Sequence, residues 1–546
     1  MLEAFADAVY SSMLPIAQAI PAPQGAGTVA FPVEIATAIN NLPLLVLEMI
    51  LPYLGPECRE KGLFTGVAAQ LEQNLCTASG IPYSRRYDRP DKLIFPHEYR
   101  GTRLIDTYLR GTPLRGALET SITVHIPNES RFEHAHIVAG TGHGKTQTLQ
   151  RFILSDLATD AGLVVIDSQG EMLKKIARLA TAKEIIYIDP TDIDHPPALN
   201  MFDVSRLSGL PEVKREQFLN GLIELLEYVF AGLLRAELTQ KQNVLFRYTL
   251  RLMLAVPGAT LLDLLRFLGD PGPYLAHARQ LNPMAREFFE REFGERSYVQ
   301  TREQIRRRLY GVLENDAFRR MFSAEKNVVD VAAALDRGAV ILVDTAKSHL
   351  KAEASSLMGR YFIALTLQAA LEREGQRNPA FLYIDEAGEY FDDNIDSLLN
   401  EARKRRVGIV MAHQYLDQLT PQLRSSIATN TAIKMAGGVS DKDARALASD
   451  MRTTAEQISA QTKGHFMCFV KNVTPTAIAV EVPFGLLEGQ RTRKSLAPPR
   501  FFEQTQPSVP VATGEAASEP DPPPAAEEET ATESGEFVDI SPTRDW

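Results

Sequence analysis

"HIVAGTGHGKTQTL", His136 to Leu149, is the stretch whose reading decides the fold. It contains Gly144, Lys145 and Thr146, the last three positions of the phosphate-loop pattern G-x-x-x-x-G-K-[ST]. The first position of that pattern falls on Ala139, and a glycine follows one step later at Gly140. In such loops the backbone N–H groups of the loop and of the following helix cradle the phosphates, while the lysine reaches the β and γ oxygens. Gly140, Thr141, Gly142, His143, Gly144, Lys145, Thr146 and Gln147 are therefore the candidate nucleotide-binding residues, with the Thr146 hydroxyl as a candidate Mg2+ ligand. Alanine at 139 costs little if that residue ends a strand with a negative φ. His143 has two readings, a side chain facing the γ-phosphate or an ordinary solvent-facing loop histidine. The plain alternative for the whole stretch is a chance glycine turn. An apolar strand before it and the helical "TLQRFIL" after it speak against that.

Working outward, short β-branched runs alternate with helical segments from about residue 96: "AHIVA", "GLVVIDSQGE" and "EIIYIDP". This is the rhythm of a mainly parallel sheet covered on both faces. It stops at about Ser205, and up to about Arg337 apolar residues recur at three and four positions, as in "QFLNGLIELLEYVFAGLL" and "REQIRRRLYGVLEND". Strands then resume with "GAVILVDTA", "AFLYIDEAGEY", "VGIVMAHQ", "TAIKMAGG", "HFMCFV" and "TAIAVEVP". The expected fold is thus α/β, a nucleotide-binding domain interrupted by an all-α insertion. Its expected parts are a helical N-terminal region (1–95), a first ATPase part (96–204), the insertion (205–337), a second ATPase part (338–498) and a tail (499–546).

Hydrolysis needs an acidic strand opposite the loop. "FLYIDEAGEYF" supplies Asp385, expected to hold Mg2+ through water, and Glu386, expected to polarise the attacking water. Asp167 and Asp344 also end apolar runs, but neither has an adjacent glutamate. Gln414 ends "VGIVMAHQ" as a candidate γ-phosphate sensor, and Arg403, Lys404, Arg405 and Arg406 precede that run. The basic cluster reads either as a solvated helix face or as a subunit-interface arginine reaching a neighbour's phosphate.

Composition sets outer bounds. The 546 residues are 45% hydrophobic and 23% charged, enough for two or three domains with full cores. The net charge of −11 is uneven: residues 499–546 hold eleven acidic residues and two arginines, a net of −9, leaving −2 for the rest. A near-neutral body neither demands a nucleic-acid partner nor excludes a local basic channel. Three cysteines without paired spacing fit a reducing cytoplasm. No signal-peptide pattern opens the chain, and "LPLLVLEMILPYL" is too short to span a bilayer. The Pro-rich acidic tail is expected to be disordered, with Phe537, Val538, Ile540 and Trp546 as apolar anchors for a docking partner.

Taken together, "HAHIVAGTGHGKTQTL", "LVVIDSQGEML", "IDPTDIDHPPALNMFDV", "FLYIDEAGEYF" and "RKRRVGIVMAHQYLDQL" resemble the type IV coupling proteins of conjugation and type IV secretion. These belong to the class of hexameric DNA-pumping ATPases that includes the HerA and FtsK families. The resemblance covers roughly residues 120–485 and implies a RecA-like P-loop ATPase with an all-α domain between its two nucleotide motifs. It implies ATP and Mg2+ as cofactors, Lys145 and Thr146 on nucleotide and metal, Asp385 and Glu386 in hydrolysis, and Gln414 as sensor. Arg403 would be the finger acting across a subunit interface. The implied partners are DNA, further copies of the chain in a hexamer, and relaxosome or secretion-apparatus proteins. Two features depart from the family pattern: Ala139 in place of the first loop glycine, and no membrane anchor. The second favours a cytoplasmic relative or one held peripherally at the inner membrane by a separate partner. A HerA-like translocase in DNA processing or defence and an ATP-gated assembly protein that binds no DNA are the alternatives.

Overall fold

The computed structural model describes residues 1–20, 29–39, 41–88, 92–101, 103–192, 196–234, 240–372, 378–392 and 395–493. The expected tail, 499–546, lies outside these. Eleven strands occur among them: β1 (Val29–Glu34), β2 (Ser121–Ile126), β3 (Ala135–Ala139), β4 (Gly162–Asp167), β5 (Ile185–Ile188), β6 (Val340–Asp344), β7 (Ala380–Ile384), β8 (Val407–His413), β9 (Ile433–Gly437), β10 (His465–Val470) and β11 (Ile478–Glu481).

Nine of them form one sheet in the order β11-β10-β9-β3-β8-β7-β4-β6-β5. The seven strands from β9 to β5 run parallel, and β10 and β11 add an antiparallel edge. The central strands are continuous apolar runs such as "VILVD" and "AFLYI", every residue of which is buried. That is what a strand covered on both faces requires. One face packs under the helices Lys145–Leu157 and Glu171–Ala177; the other merges with the inserted helices and the helix Lys347–Glu372. The fold is therefore the α/β, mainly parallel arrangement expected, a RecA-like P-loop domain interrupted by helices.

The insertion is an enlarged crossover. β5 and β6 are parallel neighbours, and all the helices from Glu212–Leu234 to Val331–Asp336 lie between them in sequence. Its interior is aromatic, with Phe267, Phe288, Phe289 and Phe293 packed ring against ring at 5.2–6.2 Å.

The N-terminal region differs from expectation in two ways. Its helical core does not stop near residue 95, because Leu104, Tyr108, Leu114 and Leu118 pack with Val46, Met49 and Leu75 in the same cluster. It is also not purely helical: β1 pairs antiparallel with β2, Phe31 opposite Val124. This ribbon braces the helix that follows the phosphate loop. The Phe31 and Phe152 rings lie 6.0 Å apart, and Arg151 donates to the Ala30 carbonyl at 2.7 Å. Among the described residues no helix is long and apolar enough to cross a membrane.

Candidate functional site

The loop of Gly140 to Gly144 joins β3 to the helix Lys145–Leu157 at the C-terminal edge of the sheet. Gly142 and Gly144 carry φ of +74° and +124°, values that favour glycine. Ala139 ends β3 opposite Gly437 and has no left-handed backbone, so alanine fits there as expected. Gly140 explains the displaced glycine: a Cβ at this position would run into the carbonyl oxygen of Gly438. The helix starts at Lys145, so the N–H groups of Lys145, Thr146 and Gln147 have no intrahelical acceptor and face the loop's concavity. The Gln147 Oε1 atom is buried without a partner among the described residues.

Neither reading of the His143 side chain holds. It turns away from the concavity onto β9 and β10, where Nε2 bonds the His465 carbonyl at 2.8 Å and the ring packs edge-on against Phe466. A Cβ on Gly438 would collide with this imidazole, so glycine there makes room for it. His143 remains part of the loop through its backbone, and its carbonyl accepts from Gly464 N–H at 2.8 Å.

β8 lies between β3 and β7, so β7 delivers its acids one strand away from the loop. Lys145 Nζ pairs with Asp385 Oδ1 at 2.8 Å and with Glu386 Oε1, all three side chains being about 10% exposed. Burial opposes the lysine's charge, but the two carboxylates outweigh it and hold the ammonium above the ordinary lysine range. Burial pushes Asp385 upward, and Lys145 offsets part of that. Glu386 adopts φ +56°, ψ +50°, a left-handed backbone that is costly for a glutamate. Its neighbours hold it there: Gln414 Nε2 donates to Oε1 at 2.8 Å and Gln418 Nε2 to Oε2 at 3.4 Å. Gln414 accepts in turn from the Thr141 hydroxyl at 3.3 Å, which closes a circuit from loop to acid to β8. Thr146 stands half-buried in the first turn of the helix.

The structure thus gathers Thr141, Lys145, Asp385, Glu386 and Gln414 at one edge of the sheet. Gln418 is a member that the sequence reading missed; the turn after β8 brings it back onto Glu386. Asp167, buried at the end of β4, is pushed up to about 7, first by burial and then by Asp385. Arg403 is not brought to this site. It precedes β8, whose seven residues span about 23 Å, and lies at the opposite edge of the sheet with its guanidinium on Glu133 at 2.8 Å. Arg406 bonds Glu129 at 2.9 Å and lies over the Phe132 ring, while Lys404 pairs with Glu401.

No protein-family model matches the chain, and no curated protein sequence matches it. Solved structures do. The bacterial conjugative coupling protein TrwBdeltaN70 superposes with a TM-score of 0.51 at 12% identity, over 68% of this chain and 89% of that one. The plasmid coupling protein TrwB in complex with ADP and Mg2+ gives 0.51 at 13% identity, over 68% and 90%. TrwB with a non-hydrolysable ATP analogue gives 0.51 at 14% identity over the same shares. Loop, acidic strand and inserted helices thus sit on an architecture already known, and the chain has the fold of a conjugative coupling protein.

Proposed function

We propose that the chain is a ring-forming ATPase that moves DNA and delivers it to a conjugative or secretion apparatus. The observation that carries the ATPase reading is the closed circuit of Thr141, Lys145, Glu386 and Gln414 around the loop. A triphosphate entering the concavity meets unsatisfied N–H groups and takes Lys145 over from the carboxylates. Asp385 and the Thr146 hydroxyl are the oxygen donors that suit Mg2+, which when bound neutralises charge on the phosphates. Glu386, freed of Lys145 but still held by Gln414 and Gln418, is placed to take a proton from water. Arg403 completes the site of a neighbouring subunit. The DNA role is supported by the shared fold alone. Three buried, unpaired cysteines suit a reducing cytoplasm.

The test is ATP turnover without DNA, with single-stranded DNA and with duplex DNA, together with DNA binding across salt concentrations. The expected outcome is stimulation by one DNA form and binding that weakens steeply with salt, since phosphate contacts release counterions. Turnover indifferent to both forms, with no binding by the assembled ring, sinks the DNA role and favours an ATP-gated assembly protein.

A further inference from the structure

The phosphate end of the site faces β7 and β8, where Glu386 and Gln414 stand. β3 lies between β8 and β9, so the other side of the loop faces β9, β10 and β11, which leaves that side for a nucleoside whose phosphates sit in the loop. On that side the loop meets Phe484, in the segment just after β11. A Cβ on Gly144 would lie 3.6 Å from Cζ of Phe484, and one on Gly464 would lie 3.0 Å from its Cε2. The ring's position is tied to the loop through backbone. His143 O accepts from Gly464 N–H at 2.8 Å, and Gly464 O accepts from Val482 N–H at 2.8 Å. Phe484 is nonetheless 50% exposed, whereas Phe466 beside it is fully buried. The Lys463 ammonium lies over the ring, 4.9 Å from its centroid. What sets Phe484 apart from other exposed apolar side chains is its place against the glycines of the phosphate loop and of the turn before β10.

We infer that Phe484 is the platform on which the base of the bound nucleotide stacks. This rests on the nucleotide-site reading above and adds a base-recognition element to it. Stacking needs only a π-face, which every base offers, so the platform contributes affinity without choosing adenine over guanine.

The experiment titrates the full chain with ATP, GTP and inorganic tripolyphosphate, the last as a competitor lacking base and sugar. Variants are Phe484→Ala, Phe484→Leu, Phe484→Trp and Lys145→Ala. Phe484→Ala and Phe484→Leu should each weaken ATP and GTP by about tenfold, the lower part of the range for losing one stacked base. Tripolyphosphate should be unchanged in both, and Phe484→Trp should bind nucleotides as the parent does. Equal ATP binding by Phe484→Ala and the parent overturns the platform. So does a loss of tripolyphosphate matching that of ATP, since the ring would then only shape the loop. Intact ATP binding in Lys145→Ala overturns the nucleotide site itself.

Discussion

The two ends of β8 are built on opposite terms. At its C-terminal end Gln414 joins a set of groups that are one another's partners: Lys145, Asp385 and Glu386 nearly buried, Gln418 half-buried beside them, and Thr141 at the exposed rim. At its N-terminal end the arginines point outward, and their partners are single surface acids: Glu133 for Arg403, half-exposed at 51%, and Glu129 for Arg406. Exposed pairs of this kind contribute little to stability, so exchanging one for a better anion is cheap. Losing a partner inside the buried set leaves a charge without compensation. One end of the strand gathers partners from three segments of the chain, while the arginines at the other end lie on the surface.

The sharpest way to break this contrast is at the buried end. Lys145→Ala should abolish nucleotide binding, whereas Glu386→Gln should bind ATP and lose turnover by about a thousandfold or more. Equal turnover in Glu386→Gln and the parent would remove the water-activating role. Next is the outward end. Arg403→Ala should lower turnover by about a thousandfold, the low end for an arginine finger, with binding retained. Mixing Arg403→Ala with Lys145→Ala subunits should restore part of it, because some interfaces then unite an intact loop with an intact arginine. No recovery at any ratio, with co-assembly confirmed, argues against action in trans.

A smaller effect belongs to Gln414. Its replacement by alanine should cut kcat by about a hundredfold at nearly unchanged ATP affinity, since it orients Glu386 without touching Lys145. A loss confined to KM would reassign it to binding.

The smallest effect concerns His134, which ties the arginine-bearing helix to β3 and β8. Its Nε2 meets the Leu399 carbonyl at 2.8 Å and its Nδ1 accepts from Ile409 N–H at 3.1 Å. The ring is therefore neutral, and burial pulls its pKa down to about 4. The unfolded chain takes up this proton near pH 6.5, which the native state refuses. The contribution of His134 is therefore full above about pH 6.5 and is lost toward pH 4, by about 1.4 kcal/mol per unit. His134→Gln should be less stable than the parent at pH 7.5, and the gap should shrink by about 2 kcal/mol at pH 5. Urea unfolding at both pH values measures it; a constant gap refutes it.

All nine strands of the main sheet could be read from the sequence as short apolar runs: β3, β4 and β6 to β9 are buried at every residue, while the edge strands β5 and β11 are buried at alternate positions. The insertion could be read because its helices each bury one face and repeat at helical spacing. The β1–β2 ribbon could not: Pro32 interrupts β1, and its partner strand lies some ninety residues on. Loop, acids and Gln414 were legible because each is a local pattern at a strand end. What His143 does was not, because its partner carbonyl belongs to His465, 322 residues away. Gln418 was hidden similarly, as nothing in "QYLDQ" shows that the turn folds back on Glu386.

The place of β3 has a consequence for how the protein is made. It carries the phosphate loop, yet its neighbours in the sheet are β8 and β9, and His134 awaits an amide donor 275 residues further along. At ordinary elongation rates that interval is on the order of tens of seconds. During it an apolar strand with both edges unpaired is already outside the ribosome. Nascent chains that stall between the insertion and β8 would therefore present this strand to chaperones or to one another, so the segment that carries the phosphate loop is exposed throughout that interval of synthesis.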